Sequence, residues 1–108
     1  SIDLLLDDMM IAANKIKTYT AELSFEDFSK DEKTLDAVIR NFEIIGEASA
    51  KIDNDFKNKH DQIDWKRLKG FRNRIIHEYF GVDIEIIWNI IQYDLDSLIL
   101  TIGNLKRK

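Results

Sequence analysis

The chain has 108 residues, of which 44% are hydrophobic; it carries no cysteine or proline, only four glycines, and a net charge of −4. That length suits one domain spanning residues 1–108, and the scarcity of glycine and proline favours long uninterrupted helices over a turn-rich β fold. The composition excludes disulfides, thiolate metal sites, a membrane span and a generally basic nucleic-acid surface; it suits a cytoplasmic protein with no secretory leader, in which any nucleic-acid contact must come from a local patch.

Residues 2–19 read as a first helix. Leu5, Met9, Ala12, Ile16 and Tyr19 recur at steps of four and three, the spacing of one apolar stripe. Asp3, Asp7 and Asp8 lie towards its start and Lys15 and Lys17 towards its end, which suits the helix dipole. Leu4, Leu6 and Met10 widen the apolar surface, which a second buried contact, for instance with another chain, would explain.

Residues 20–30 form a connector in which Ser24 caps a short turn over 25–28. Ser29 and Glu32 have capping-box spacing, so a second helix is expected over 30–52. Its inner face is Leu35, Val38, Phe42, Ile45, Ser49 and Ile52, and the small Gly46, Ala48 and Ala50 allow close approach of a neighbour. Glu43 and Glu47 stand four apart on one side, either as a solvated pair or as partners for a distant arginine. Residues 53–62 are polar, with one helical turn around Phe56. His60, in that loop, is read as exposed and without a role.

Asp64 caps a third helix, 65–79. It carries Lys66, Arg67, Lys69, Arg72 and Arg74 with no acid between Trp65 and Ile76, a local reversal of the chain's charge. Gly81 is a natural C-cap. Asp83 then caps a last helix, 84–105, with the seam Ile84, Ile87, Ile91, Leu95, Leu98, Ile102 and Leu105. Trp88 falls near that seam and is expected to pack. Residues 106–108 make a basic end. Four long amphipathic helices with one or two short extra turns pack most simply as an antiparallel all-α bundle.

The stretch 71–81 combines one of the two histidines with two arginines and a tyrosine. Imidazole trades protons near neutral pH, and the guanidinium fork suits phosphate. Arg72 interrupts the stripe Trp65, Leu68, Ile75, Ile76, Tyr79, so it should meet an anion. That anion is either a carboxylate, with Glu43 and Glu47 the best internal candidates, or a bound phosphate.

On a straight helix Arg72 and His77 point roughly 140° apart and are separated by about 7.5 Å along the axis. Either the helix unwinds near 78–81, or a two-fold partner brings a second copy alongside; a long arginine also bridges part of the gap, so the geometry favours a dimer without requiring one. RNA is the more natural phosphodiester substrate, because its 2′-hydroxyl is an internal nucleophile. His77 would move the proton, and Arg72 would stabilise charge on phosphorus oxygens. Asn73 and Tyr79 would orient phosphate or base, with Lys69, Arg74 and Glu47 in support. Two histidines 17 positions apart without cysteine do not make a zinc site, and no phosphate-binding glycine loop or Gly-flanked serine is present. No metal or other cofactor is expected.

The segment Arg72-Asn73-Arg74-Ile75-Ile76-His77-Glu78-Tyr79 resembles the Arg-x4-His-x-Tyr motif of HEPN-domain toxins of the HepT (DUF86-like) family. Leu6-Asp7-Asp8-Met9, residues 36–48 and Tyr79-Phe80-Gly81-Val82-Asp83 resemble that family in the same order. Two departures are the lack of proline around His60–Trp65 and Glu78 where glycine is frequent. The resemblance implies a helical homodimer with the motif at a composite cleft and a metal-independent ribonuclease toxin. It also implies an MNT-type nucleotidyltransferase antitoxin that silences the toxin by transferring AMP to Tyr79. From the residues alone, two other readings stay open. One is a non-catalytic helical partner of a nucleotidyltransferase that binds nucleotide or substrate. The other is a structural role in which Arg72 pairs with Glu43 or Glu47.

Overall fold

The computed structural model describes residues 1–77 and 83–106, with positions 76 and 77 as backbone only. Among the described residues the elements are all helical: α1 (Ile2–Thr20), α2 (Phe25–Lys30), α3 (Glu32–Lys51), α4 (Asn54–Lys59), α5 (Trp65–His77), α6 (Ile84–Tyr93) and α7 (Leu95–Lys106). None of these is long and apolar enough to cross a membrane.

Helix α1 packs against both α3 and α7. Its buried residues are Leu6, Met9, Ala12, Ala13, Ile16 and Thr20. The stripe is therefore shifted from the expected one: Leu6 replaces Leu5 at the centre, and Tyr19 is exposed. Thr20 takes the buried end position because its hydroxyl donates to the Ile16 carbonyl at 2.8 Å, which satisfies the polar group. The extra apolar width of α1 faces α7 of the same chain, where the Met10 methyl group lies against Gly103. Ion pairs Asp7–Lys106 and Lys17–Asp96 run along that antiparallel contact. Leu4 and Ile11 remain exposed on the outer side.

Ser24 and Asp27 close a capping box on α2. The box expected between Ser29 and Glu32 does not form. Ser29 belongs to α2, and its hydroxyl turns back onto the Glu26 carbonyl at 2.8 Å, a local bond that short hydroxyl side chains favour. Asp31 caps α3 instead, accepting from the Thr34 backbone N–H at 3.1 Å and the Thr34 hydroxyl at 2.7 Å.

Those two bonds, the side-chain one first, hold the Asp31 carboxyl below its ordinary value. A depressed carboxyl stabilises the fold above its unfolded pKa of about 3.9 and loses that contribution as pH falls through the folded value. Asp31→Ala should therefore melt below wild type at neutral pH. The gap should shrink in scans taken from pH 4 down to pH 2. A gap that stays constant with pH would remove the carboxylate from the cap.

The inner face of α3 buries Val38, Phe42, Ile45 and Ser49 as expected, with Ile52 buried at its C-cap. Leu35 is half-buried and Ala50 faces solvent, so Ala50 takes no part in helix packing. Asp53 caps the one-turn α4 by accepting from the Phe56 N–H at 2.8 Å. Asp64 does the same for α5 through the Arg67 N–H at 3.0 Å.

The expected last helix is two helices. Asp94, at φ −117° and ψ −27°, separates α6 from α7. The interruption is one residue wide, because Asp94 still donates to Ile90 and accepts from Leu98 at 2.9 and 3.1 Å. The seam on either side is retained, with Ile87, Ile91, Leu95, Ile102 and Leu105 buried. Trp88 packs on Phe28 and Phe25, with ring centroids 5.2 and 6.1 Å away. The expected cap at Gly81 and the last two residues of the basic end lie outside the described residues.

Candidate active site

The basic helix α5 packs on α3. Phe71 meets Phe42 edge-on at 5.1 Å, and Ile75 is fully buried behind it. Arg72 follows Phe71 at the same contact and is half-buried. Its aliphatic stem lies directly over Gly46 of α3. Its Nε is closed off from solvent and has no hydrogen-bond partner.

The carboxylates expected as internal partners for Arg72 are engaged elsewhere. Arg40 reaches Glu43 at 3.4 Å and Glu47 at 3.6 Å, on the exposed side of α3. Among the described residues no carboxylate pairs with Arg72. The purely structural reading of this arginine therefore lacks the ion pair on which it rested.

The rest of the basic face divides. Lys66, Lys69, Asn73 and Arg74 are exposed, and Arg74 makes a polar or electrostatic contact of its own. Arg67 is not a free cation, since its Nη2 meets Asp94 at 2.7 Å. His77 is the last described residue of α5; its side chain, and the whole of Glu78 and Tyr79, lie outside the described residues.

Two concavities flank α5. A cleft of about 270 Å³ opens between α3, α5 and α7 over Phe42, Ile45, Leu68, Phe71 and Leu98, with Arg67 and Asp94 on its lining. A shallower groove of about 600 Å³ runs between α5 and α6. One wall is Arg67, Gly70, Phe71 and Arg74; the other is Ile86, Asn89, Ile90 and Tyr93. Both sets follow steps of three and four, so each is one helix face. A side chain on Gly70 would meet nothing within 4 Å, which leaves the α5 wall open there. Tyr93, 80% exposed, was passed over in the sequence; its only signal is the spacing 86, 89, 90, 93. Three residues past Arg74, α5 reaches His77, so the groove wall leads towards that position.

Residues 9–105 match the model of the family described as ribonuclease HepT-like. The chain belongs to that family. It is similar to a protein named probable ribonuclease HepT from Thermococcus cleftensis, 47% identical over 93 residues, covering 86% of this chain and 84% of the relative. It is also similar to a protein bearing an RNase name from Methanocaldococcus jannaschii, 43% identical over 86 residues, covering 80% and 71% of the two chains. A third relative with an RNase name, from Caldanaerobacter subterraneus, is 45% identical over 76 residues, covering 70% and 68%. No solved structure matches the chain. The HepT-like match includes α3 and α5 in full, so Gly46, Arg72 and His77 all fall within it.

One sequence reading is corrected outside this site. His60 is not an exposed loop residue. Its ring packs on Phe56 at 4.4 Å, and its Nδ1 is buried without a hydrogen-bond partner. Its carbonyl accepts from the Trp65 indole N–H at 2.9 Å. The usable signal was Phe56, four residues earlier and one helical turn away.

Proposed function

We propose that this HepT-like chain is a metal-independent endoribonuclease whose reacting groups are Arg72 and His77. The observation that carries the reading is Arg72: a half-buried guanidinium in an apolar stripe, without a carboxylate partner among the described residues. A cation so placed gains most from an anion that arrives with the ligand. The family match and the RNase names of relatives support RNA as the source of that anion.

In this mechanism the ribose 2′-oxygen attacks the adjacent phosphorus as His77 moves the proton. The bond to the 5′-oxygen breaks, that oxygen takes a proton, and the upstream product ends in a 2′,3′-cyclic phosphate. Arg72 stabilises the charge that builds on the non-bridging oxygens. Asn73, Arg74, Lys69 and Tyr79 hold phosphate or base, with Glu47 in support. Two copies form a homodimer with the motifs at a shared cleft.

The wild-type chain in EDTA should cut single-stranded RNA, leave a cyclic phosphate end detectable by mass, and spare DNA of the same sequence. Loss of cleavage in EDTA, or equal cutting of DNA, would reject the mechanism. No cleavage under any condition would favour the non-catalytic binding partner.

The same reading places the chain as the toxin of a HepT/MNT-type pair, silenced by AMP transfer to Tyr79. An AMP group there would set negative charge and bulk beside the phosphate-binding residues. Co-expression with the cognate nucleotidyltransferase should add one or more AMP masses to a peptide containing Tyr79 and abolish cleavage. An inactive complex with an unmodified Tyr79 would remove that switch.

A further inference from the structure

A side-chain carbon on Gly46 would lie 2.3 Å from the Cβ of Arg72, 2.6 Å from its Cγ and 3.3 Å from its Cδ. Carbon atoms in contact normally sit about 3.5–4.0 Å apart. The nearest atoms are the root of the arginine, not its flexible tip. Rotating the guanidinium away would not relieve the overlap; α5 itself would have to shift. The other two described glycines face nothing comparable. Gly70 opens onto space, and a carbon on Gly103 would meet only the Met10 methyl at an ordinary 3.6 Å.

The same arrangement orients the guanidinium. Its stem is pressed on α3, and its Nε–H is enclosed without an acceptor. Helices tolerate glycine poorly in their interior, and a buried N–H without a partner is unfavourable. A contact needed only for packing would be better made by alanine against leucine. Both unfavourable features meet at one arginine.

We infer that Gly46 is a positioning residue for the proposed ribonuclease. By letting the Arg72 stem lie flat on α3, it fixes the guanidinium with Nε inward and leaves Nη1 and Nη2 to meet a phosphate end-on. The inference rests on the reading that Arg72 stabilises the reacting phosphate.

The test compares Gly46→Ala with Gly103→Ala as a control, each alone and in an Arg72→Gly background, which removes the Cβ as well as the guanidinium. Cleavage kinetics are read together with the Arg72 Nε–Hε resonance, assigned by its disappearance in Arg72→Lys. Gly46→Ala should lower kcat about a hundredfold, the scale of a small misplacement at a reacting centre, with KM changed by less than about threefold. It should move the Nε–Hε resonance, and it should cost nothing further once Arg72 is glycine. Gly103→Ala should do none of these. An unchanged resonance and kcat in Gly46→Ala would overturn the inference, as would an equal loss in the Arg72→Gly background. If Gly46→Ala does not fold, Gly46→Ala/Arg72→Gly, which removes the Cβ that the added carbon meets, must recover the fold, and failure to do so overturns it. If the wild type cuts no RNA, the ribonuclease reading falls, and the resonance alone decides whether Gly46 positions Arg72.

Discussion

Arg72→Met should give a folded helical protein that has lost about a hundred- to a thousandfold in kcat for RNA, the usual loss when one preorganised charge-stabilising donor is removed. Methionine keeps an unbranched stem of similar reach, so the contact over Gly46 is retained. No carboxylate among the described residues loses a partner, because Glu43 and Glu47 are held by Arg40. The enclosed, unpartnered Nε–H is removed as well, and that change by itself favours the folded state. Melting temperature by circular dichroism should therefore stay at or above wild type while cleavage collapses. Arg72→Lys should fare little better than Arg72→Met, since a point charge on a flexible stem does not replace the planar fork. An unfolded Arg72→Met would show that the arginine holds the fold; a folded and fully active one would remove it from the chemistry.

The helices were legible in the sequence because their signals are local. Three- and four-residue apolar steps and the capping acids at Asp64 and Asp83 each act within one or two turns. Where two local signals compete, spacing alone does not choose between them. Ser29 offered a capping box, but the stronger bidentate acceptor Asp31 stood two residues on and took the Thr34 donors. Asp94 carries no helix-breaking signature, so the division of the last helix was not visible; it coincides with the ion pair to Arg67, a residue distant in sequence. The candidate site divides the same way. The basic run on α5 and the oddity of Arg72 in an apolar stripe are properties of one helix. The seating of Arg72 on Gly46 joins residues on two helices, and the diversion of Glu43 and Glu47 to Arg40 depends on side-chain directions that spacing alone does not rank. His60 was misread because a polar loop around it concealed a single aromatic neighbour, Phe56.

His77→Ala should lose about a hundred- to ten-thousandfold in kcat, the range for removing a positioned general acid or base. More information comes from mixing it with Arg72→Met. On a straight helix the two positions diverge by roughly 140°, so one α5 does not bring both side chains to a single phosphate without help. If a two-fold partner supplies the missing group, each cleft uses Arg72 of one protomer and His77 of the other. A mixed dimer of the two variants then contains one intact cleft and one doubly defective cleft. Random reassembly makes about half of all dimers mixed, and half of their clefts intact, so activity should return to about a quarter of wild type. Each variant alone stays inactive. Recovery after co-refolding, dependent on protein concentration as dimer exchange requires, would establish that the site is shared between chains. A mixture as inactive as its components, with mixed dimers confirmed by mass, would place Arg72 and His77 in one cleft of one protomer, with the long arginine side chain bridging the angle between them.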